Sequence, residues 1–339
     1  MKYCLSRLRH PGLFGEMSYQ TFSSDIPRHR AITFTSAEQV EETFLNLGIH
    51  QEMQQLGRGS FQADLTLRST ELADLFADRY SKACRMKLES PPDMVGLFFF
   101  RSANGKLLAS GANVANDKLF FQPKGVVANL VTPHLAGSEV IAIPDSRFNK
   151  LFETLCPNHT RPECMTVING NTRQLDALRR AVLKLLAQPG DCLDKEELSN
   201  LLAATIAWMG DSTGQWQPKD LRVREPCRRV AKLTEEYIQE HYADAIHIED
   251  ICRVTRVGVR TLQRCFREYF DVTISEFISS VRLKKAHCEL VASHHSEKTV
   301  SHIALKHGFN HLGRFSFLFR QRYGDYPSEV LALRAGCKS

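Results

Sequence analysis

The sequence predicts an α+β multidomain protein: an N-terminal β-sandwich or small barrel, helices after it, and an all-α C-terminal domain built on a repeat. Three observations carry this prediction. Short apolar segments broken by turn residues fill residues 60–143. Helical spacing replaces them from about residue 146 onward. The excess positive charge lies wholly in the last third: residues 222–339 hold 20 Lys and Arg against 14 Asp and Glu, whereas the first 221 residues hold 24 of each.

A chain of 339 residues that is 43% hydrophobic and 24% charged is long enough for two or three domains with real cores. No apolar run approaches the roughly 18 residues that would suggest a membrane span. The basic start, MKYCLSRLRH, leads into no apolar stretch of secretory length, so a cytoplasmic location and no membrane partner are expected. The ten cysteines form no Cys-x-x-Cys pair and no zinc spacing with histidine. They read as reduced thiols used as small apolar residues, without a disulfide framework.

The β segments are FQADLTL, MVGLFFF, KLLAS, KLFFQ, VVANLVT and EVIAIP, most of them parted by Gly, Pro, Asn or Asp. Segments of this length and spacing suit an antiparallel sandwich or barrel. Alternation places Phe98 and Phe100 on one face, where with Phe120 they either fill the sandwich core or line a ligand pocket. Ser146 is a candidate N-cap for the first helix after the strands. Leu175, Leu178, Val182, Leu185 and Leu186 then recur at helical spacing over 172–187. Asp194 is placed to cap a second striped helix over 194–209. These stripes ask for cover, from the β domain or from a second chain. GDSTGQWQPKD has the composition of a linker and coincides with the change in charge. The divisions are therefore a β-rich domain at 1–170, a helical pair at 171–210 as a candidate dimerisation element, a linker at 211–221 and a helical domain at 222–339.

The helical domain repeats itself. Ile248, Ile251 and Cys252 match Val300, Ile303 and Ala304 at an offset of 52, and Leu262, Phe266 and Phe270 match Phe315, Phe319 and Tyr323 at an offset of 53. Each copy is a short helix, a tight turn and a longer helix, which is the helix-turn-helix plan. The longer helix buries one stripe and offers its other face to the DNA major groove. Within the first copy, Leu262, Cys265 and Phe266 fall on the buried side. Arg260, Thr261, Gln263, Arg264 and Arg267 face outward as candidate DNA contacts, since Arg can bridge guanine O6 and N7 and Gln can pair with adenine. In the second copy the outward set is His311, Leu312, Gly313, Arg314 and Phe317, with Arg320 beyond; Arg322 also reads as outward. Phe317 either touches a thymine methyl or packs on a neighbouring element. Arg282, Lys284 and Lys285 form a basic patch on the helix between the copies. His302, His307 and His311 miss the zinc spacings, and neither metal nor cofactor is expected.

The second copy runs Ile303-Ala304, Gly308-Phe309, Phe315, Phe319-Arg320, then Gly324, Pro327, Ser328 and Glu329. With this pattern the last third resembles the double helix-turn-helix DNA-binding domain of the AraC/XylS family of bacterial transcription regulators. The β domain and helices upstream resemble, by architecture, that family's cupin-like sensing and dimerisation part. The resemblance implies a sequence-specific, ligand-responsive regulator that acts as an activator, with double-stranded DNA, RNA polymerase, a small-molecule effector and a second copy of the chain as partners. Arg256 stands where the family often has Gly, and Gly258 two residues later would relocate the bend. Some relatives fuse this domain to a cysteine methyl-acceptor for alkylated DNA, which needs a Pro-Cys-His-Arg-type nucleophile and clustered zinc cysteines. The sequence EPCRR at 225–229 lacks that histidine, so no enzyme is expected. A non-specific architectural DNA binder is the third reading, and two distinct recognition helices argue against it.

Overall fold

A computed structural model describes residues 29–56, 59–102, 106–109, 112–114, 118–189, 193–212, 216–217, 225–293 and 299–335. The fold is mixed, β-rich in its N-terminal part and helical in its C-terminal part.

Strands β1 (His29–Phe34), β3 (Ala63–Arg68), β4 (Asp74–Tyr80), β11 (Ala136–Pro144), β6 (Met94–Ser102), β9 (Lys118–Gln122), β12 (Thr166–Asn169) and β13 (Trp216–Gln217) form an eight-stranded sheet in that order. A second sheet of five takes β2 (Gln51–Gln55), β5 (Cys84–Glu89), β10 (Val127–Thr132), β7 (Leu108–Ala109) and β8 (Ala112–Asn113). The pairings are antiparallel. The two sheets face each other across Leu65, Leu67, Phe76, Phe98, Phe100 and Phe120 on one side and Met53, Met86, Ala128 and Leu130 on the other. The three phenyl rings of Phe98, Phe100 and Phe120 stand 5.6–5.9 Å apart by centroid and are buried against one another. They are sandwich core rather than the lining of an open pocket.

The opposite face of the larger sheet carries Leu75, Leu97, Phe99, Leu119, Phe121, Ile141 and Ile143. Helices α2 (Asp145–Leu155), α3 (Thr172–Ala187) and α4 (Lys195–Asp211) cover it. The alternation along each strand thus feeds two cores. Leu175, Val182, Leu185, Leu186, Leu198, Leu201, Leu202, Ile206 and Met209 are all buried here, within the one chain. The apolar stripes of the helical pair are satisfied by the sheet, which removes the argument that a second chain must cover them. Asp194 caps α4 by accepting from the backbone N–H groups of Glu196 and Glu197. Helix α2 begins at Asp145, one residue before the expected cap Ser146; Pro144 precedes it with ψ 129°, and no side chain caps the helix. Of the expected linker, 211–212 close α4 and 216–217 pair with β12 as β13; the rest lies outside the described residues.

Residues 29–46 hold β1 and helix α1 (Ala37–Asn46), which is capped by the Ser36 hydroxyl. The remaining elements are α5 (Glu225–His241), α6 (Ile248–Thr255), α7 (Val259–Phe270), α8 (Ile274–Ala292), α9 (Val300–Lys306), α10 (Leu312–Tyr323) and α11 (Pro327–Ala335). Helix α8 starts with a capping box between Thr273 and Glu276. Among the described residues no helix is long and apolar enough to cross a membrane.

Candidate nucleic-acid interface

Helices α6 and α7 form one helix-turn-helix unit, α9 and α10 the second, and α8 joins them. Ile251, Leu262, Phe266, Phe270 and Phe277 pack the first unit. Ile303, Ala304, Phe309, Phe315 and Phe319 pack the second, with Leu283, Ala286 and Leu290 from α8. The bend of the second unit falls at Gly308, whose φ is +78°. A β-carbon there would also meet the Ala243 carbonyl oxygen at 2.7 Å. In the first unit the bend does not move to Gly258, which has φ −72°. Arg256, 52 residues before Gly308, takes the left-handed conformation itself with φ +56°. The turn geometry is kept and the strain accepted, since a non-glycine residue in this region costs about 1–2 kcal/mol.

The stripe assignment holds on α7. Leu262, Cys265 and Phe266 are buried, Arg260, Gln263, Arg264 and Arg267 are exposed, and Thr261 is half-buried. Cys265 is joined to Cys227 of α5 by a disulfide, with Cα atoms 4.7 Å apart, where reduced thiols were expected. The packing of α5 on α7 brings the two together across 38 residues, a pairing that no spacing motif announces.

On α10, His311, Leu312, Gly313, Arg314, Phe317 and Arg320 are exposed. Phe317 is 64% exposed, so it does not pack on a neighbouring element of the chain. The Arg320 guanidinium lies over the Tyr326 ring, 4.3 Å from its centroid, and hydrogen-bonds the phenol oxygen. Arg322 departs from the expectation. It is 4% exposed and turns inward, donating to the Ser280 hydroxyl at 3.0 Å.

The basic patch on α8 is likewise mostly structural. Arg282 donates to the backbone carbonyls of Tyr242, Gly308 and Asp244 at 2.6, 2.9 and 2.7 Å, and so fastens the two units together. Lys284 reaches Glu41 and the Met53 carbonyl of the β-rich part. Lys285 is exposed. His307 is buried, its Nε2 2.8 Å from a Glu289 carboxylate oxygen. Burial holds its pKa below the ordinary histidine value, against the opposing pull of Glu289.

A cleft of about 320 Å³ separates the units, lined by Ser275, Ser279 and Arg282 of α8 and by Asn310, His311 and Arg314. Two helices with exposed cationic or polar faces, held by one stiff connector, constitute a tandem helix-turn-helix domain that reads double-stranded DNA.

Comparison with known proteins agrees. Residues 251–332 match the family model described as "Helix-turn-helix domain". The chain is similar to the probable thc operon regulatory protein of Rhodococcus erythropolis, 25% identical over 49% of this chain and 48% of that protein. It is also similar to the HTH-type transcriptional activator RhaS of Escherichia fergusonii, 33% identical over 28% of this chain and 33% of that one. Each match thus spans about half or less of the curated relative. A solved structure of a probable AraC family transcriptional regulator from Rhodopseudomonas palustris is 30% identical over 31% of this chain and 97% of that chain, with a TM-score of 0.30. The C-terminal third thus carries a helix-turn-helix domain similar to those of the AraC-type transcription regulators it matches.

Proposed function

We propose that the protein is a ligand-responsive, sequence-specific transcription activator that reads two adjacent major-groove segments with α7 and α10. The observation that carries this reading is the matched exposure of the two helices: Arg260, Gln263, Arg264 and Arg267 on one, and Leu312, Gly313, Arg314 and Phe317 on the other. A role in activation is supported by RhaS, itself named an activator, and implies RNA polymerase as a partner. A small-molecule effector acting through the β-rich part would reach the DNA through its contacts with α8 and α10, by favouring one arrangement of the two parts over another.

Cytoplasmic location and a homodimer complete the proposal. Two chains would place four units on one operator and raise effective concentration without new contacts. The exposed side of α3 carries Arg173, Gln174, Arg180 and Lys184, so pairing through this hairpin would be polar.

The test is selection of bound duplexes from random DNA, followed by transcription in vitro with RNA polymerase. The proposal expects an enriched sequence and more transcript from a promoter that carries it. Binding that unrelated DNA competes away equally well would favour the architectural reading instead.

A further inference from the structure

The two recognition helices share a register but not a chemistry. Val259 and Leu312 hold equivalent positions at the head of α7 and α10, and are 41% and 40% exposed. At the same offset of 53, Arg260 corresponds to Gly313 and Arg264 to Phe317. Residues four apart share one helix face. Where the first helix presents two guanidinium groups, the second presents a missing side chain and a phenyl ring.

The chain itself does not require a glycine at 313. A β-carbon built there meets nothing within 4 Å. Glycine inside a helix is nonetheless less favourable than alanine. The gap leaves room for something outside the chain to approach the helix closely. Phe317 borders it, and at 64% exposed it leaves an aromatic ring in water. Arg314 lies about 100° round the helix from Gly313 and about 60° from Phe317. It lines the cleft beside Ser275, Ser279 and His311, a place that suits a phosphate oxygen better than a base edge.

In the major groove, guanine offers the paired acceptors O6 and N7, and thymine offers a methyl group. We infer that the operator is chemically asymmetric. The segment under α7 contains guanines held by Arg260 and Arg264. The segment under α10 contains thymines whose 5-methyl groups pack on Leu312 and Phe317 over the space left at Gly313. This inference rests on the proposed entry of both helices into major grooves.

The experiment uses the full chain and the duplex it selects from random DNA, with affinity read by fluorescence anisotropy. Deoxyuridine replaces thymine in one segment at a time, which removes only the methyl groups. In a parallel series 7-deazaguanine replaces guanine, which removes N7. Deoxyuridine in the α10 segment should weaken wild-type binding about three- to fourfold per contacted methyl. The loss should be smaller in Phe317→Ala, which removes an exposed ring and keeps only the Leu312 contact. Deazaguanine should weaken binding in the α7 segment and have little effect in the other. If deoxyuridine is silent while deazaguanine weakens both segments alike, the asymmetry is overturned and two-segment reading survives. A selected duplex with only one segment, or none, would instead defeat the reading beneath it.

Discussion

Lys284 of α8 and Glu41 of α1 meet at 2.6 Å, Nζ to Oε1, and the contact joins the DNA-reading part to the β-rich part. It belongs to a polar seam. Gln54 donates to the Ser280 hydroxyl at 3.0 Å, Ser280 donates to the Gln55 carbonyl at 2.6 Å, and the Tyr323 hydroxyl donates to Glu38 at 3.3 Å. Burial alone would raise the Glu38 carboxyl, but Arg322, His287 and Lys284 around it hold it below its ordinary value. Arg85 and Glu235 add a largely buried ion pair between β5 and α5. The second recognition helix is therefore fixed at its C-terminal end by the part expected to sense a ligand.

Lys284→Ala should destabilise the protein by about 1–3 kcal/mol. Removing one partner of a fully buried pair costs about 3–5 kcal/mol, and this pair is about one-fifth exposed, so water recovers part of the loss. Chemical denaturation measures the change, and a double-mutant cycle with Glu41→Gln should return a coupling well above zero. Additive single effects would show that the contact holds nothing together.

Arg282→Lys should cost about 2–3 kcal/mol, because an ammonium cannot serve three carbonyls spread across the α5–α6 loop and the Gly308 turn. Operator binding should fall with it, although Arg282 is assigned no base. Denaturation midpoints together with anisotropy check this, and an unchanged midpoint would contradict the fastening role.

Arg256→Gly should stabilise the first unit by roughly 0.5–1 kcal/mol. The left-handed backbone at 256 costs an arginine about 1–2 kcal/mol, while the extra freedom of glycine in the unfolded chain returns about 0.4–1 kcal/mol of that. The exposed side chain gives up no burial. A lower denaturation midpoint for the glycine variant would show that Arg256 makes a compensating contact.

Much of the interface was legible because helices bury by period. Leu262, Phe266, Phe315 and Phe319 could be assigned to the core and Arg260 and Arg264 to the surface from spacing alone. Arg322 and Lys284 were misread for a physical reason. A long cationic side chain looks like surface until a separate part of the chain, distant in sequence, supplies a carboxylate or a carbonyl for it. The same limit hid α1 and β2, whose docking on α8 has no signature in residues 37–55. The stripes of α3 and α4 showed that cover was needed, but not that the outer face of the larger sheet provided it. The disulfide between Cys227 and Cys265 depends on the register of α5 on α7, which spacing does not encode.

A pH dependence follows from Asp74, which burial pushes up to about 6 despite a 2.6 Å hydrogen bond from Ser69. A raised folded-state pKa gives stability that is fully present below the unfolded value and lost as pH rises through about 6. Between pH 7.5 and 5 the β-rich part should therefore gain stability, by about 1–1.5 kcal/mol from this group. Asp74→Asn should reduce that slope in thermal melts and leave the share of Asp78, which burial also pushes up to about 6. An equally steep slope in the variant would assign it to other groups.

Hydroxyl-radical footprinting of the full chain on its selected duplex tests the central claim most directly. Two recognition helices on one connector predict two protected patches on the same DNA face, centred about 10 bp apart. A single patch, or even protection with no preferred sequence, would contradict the account.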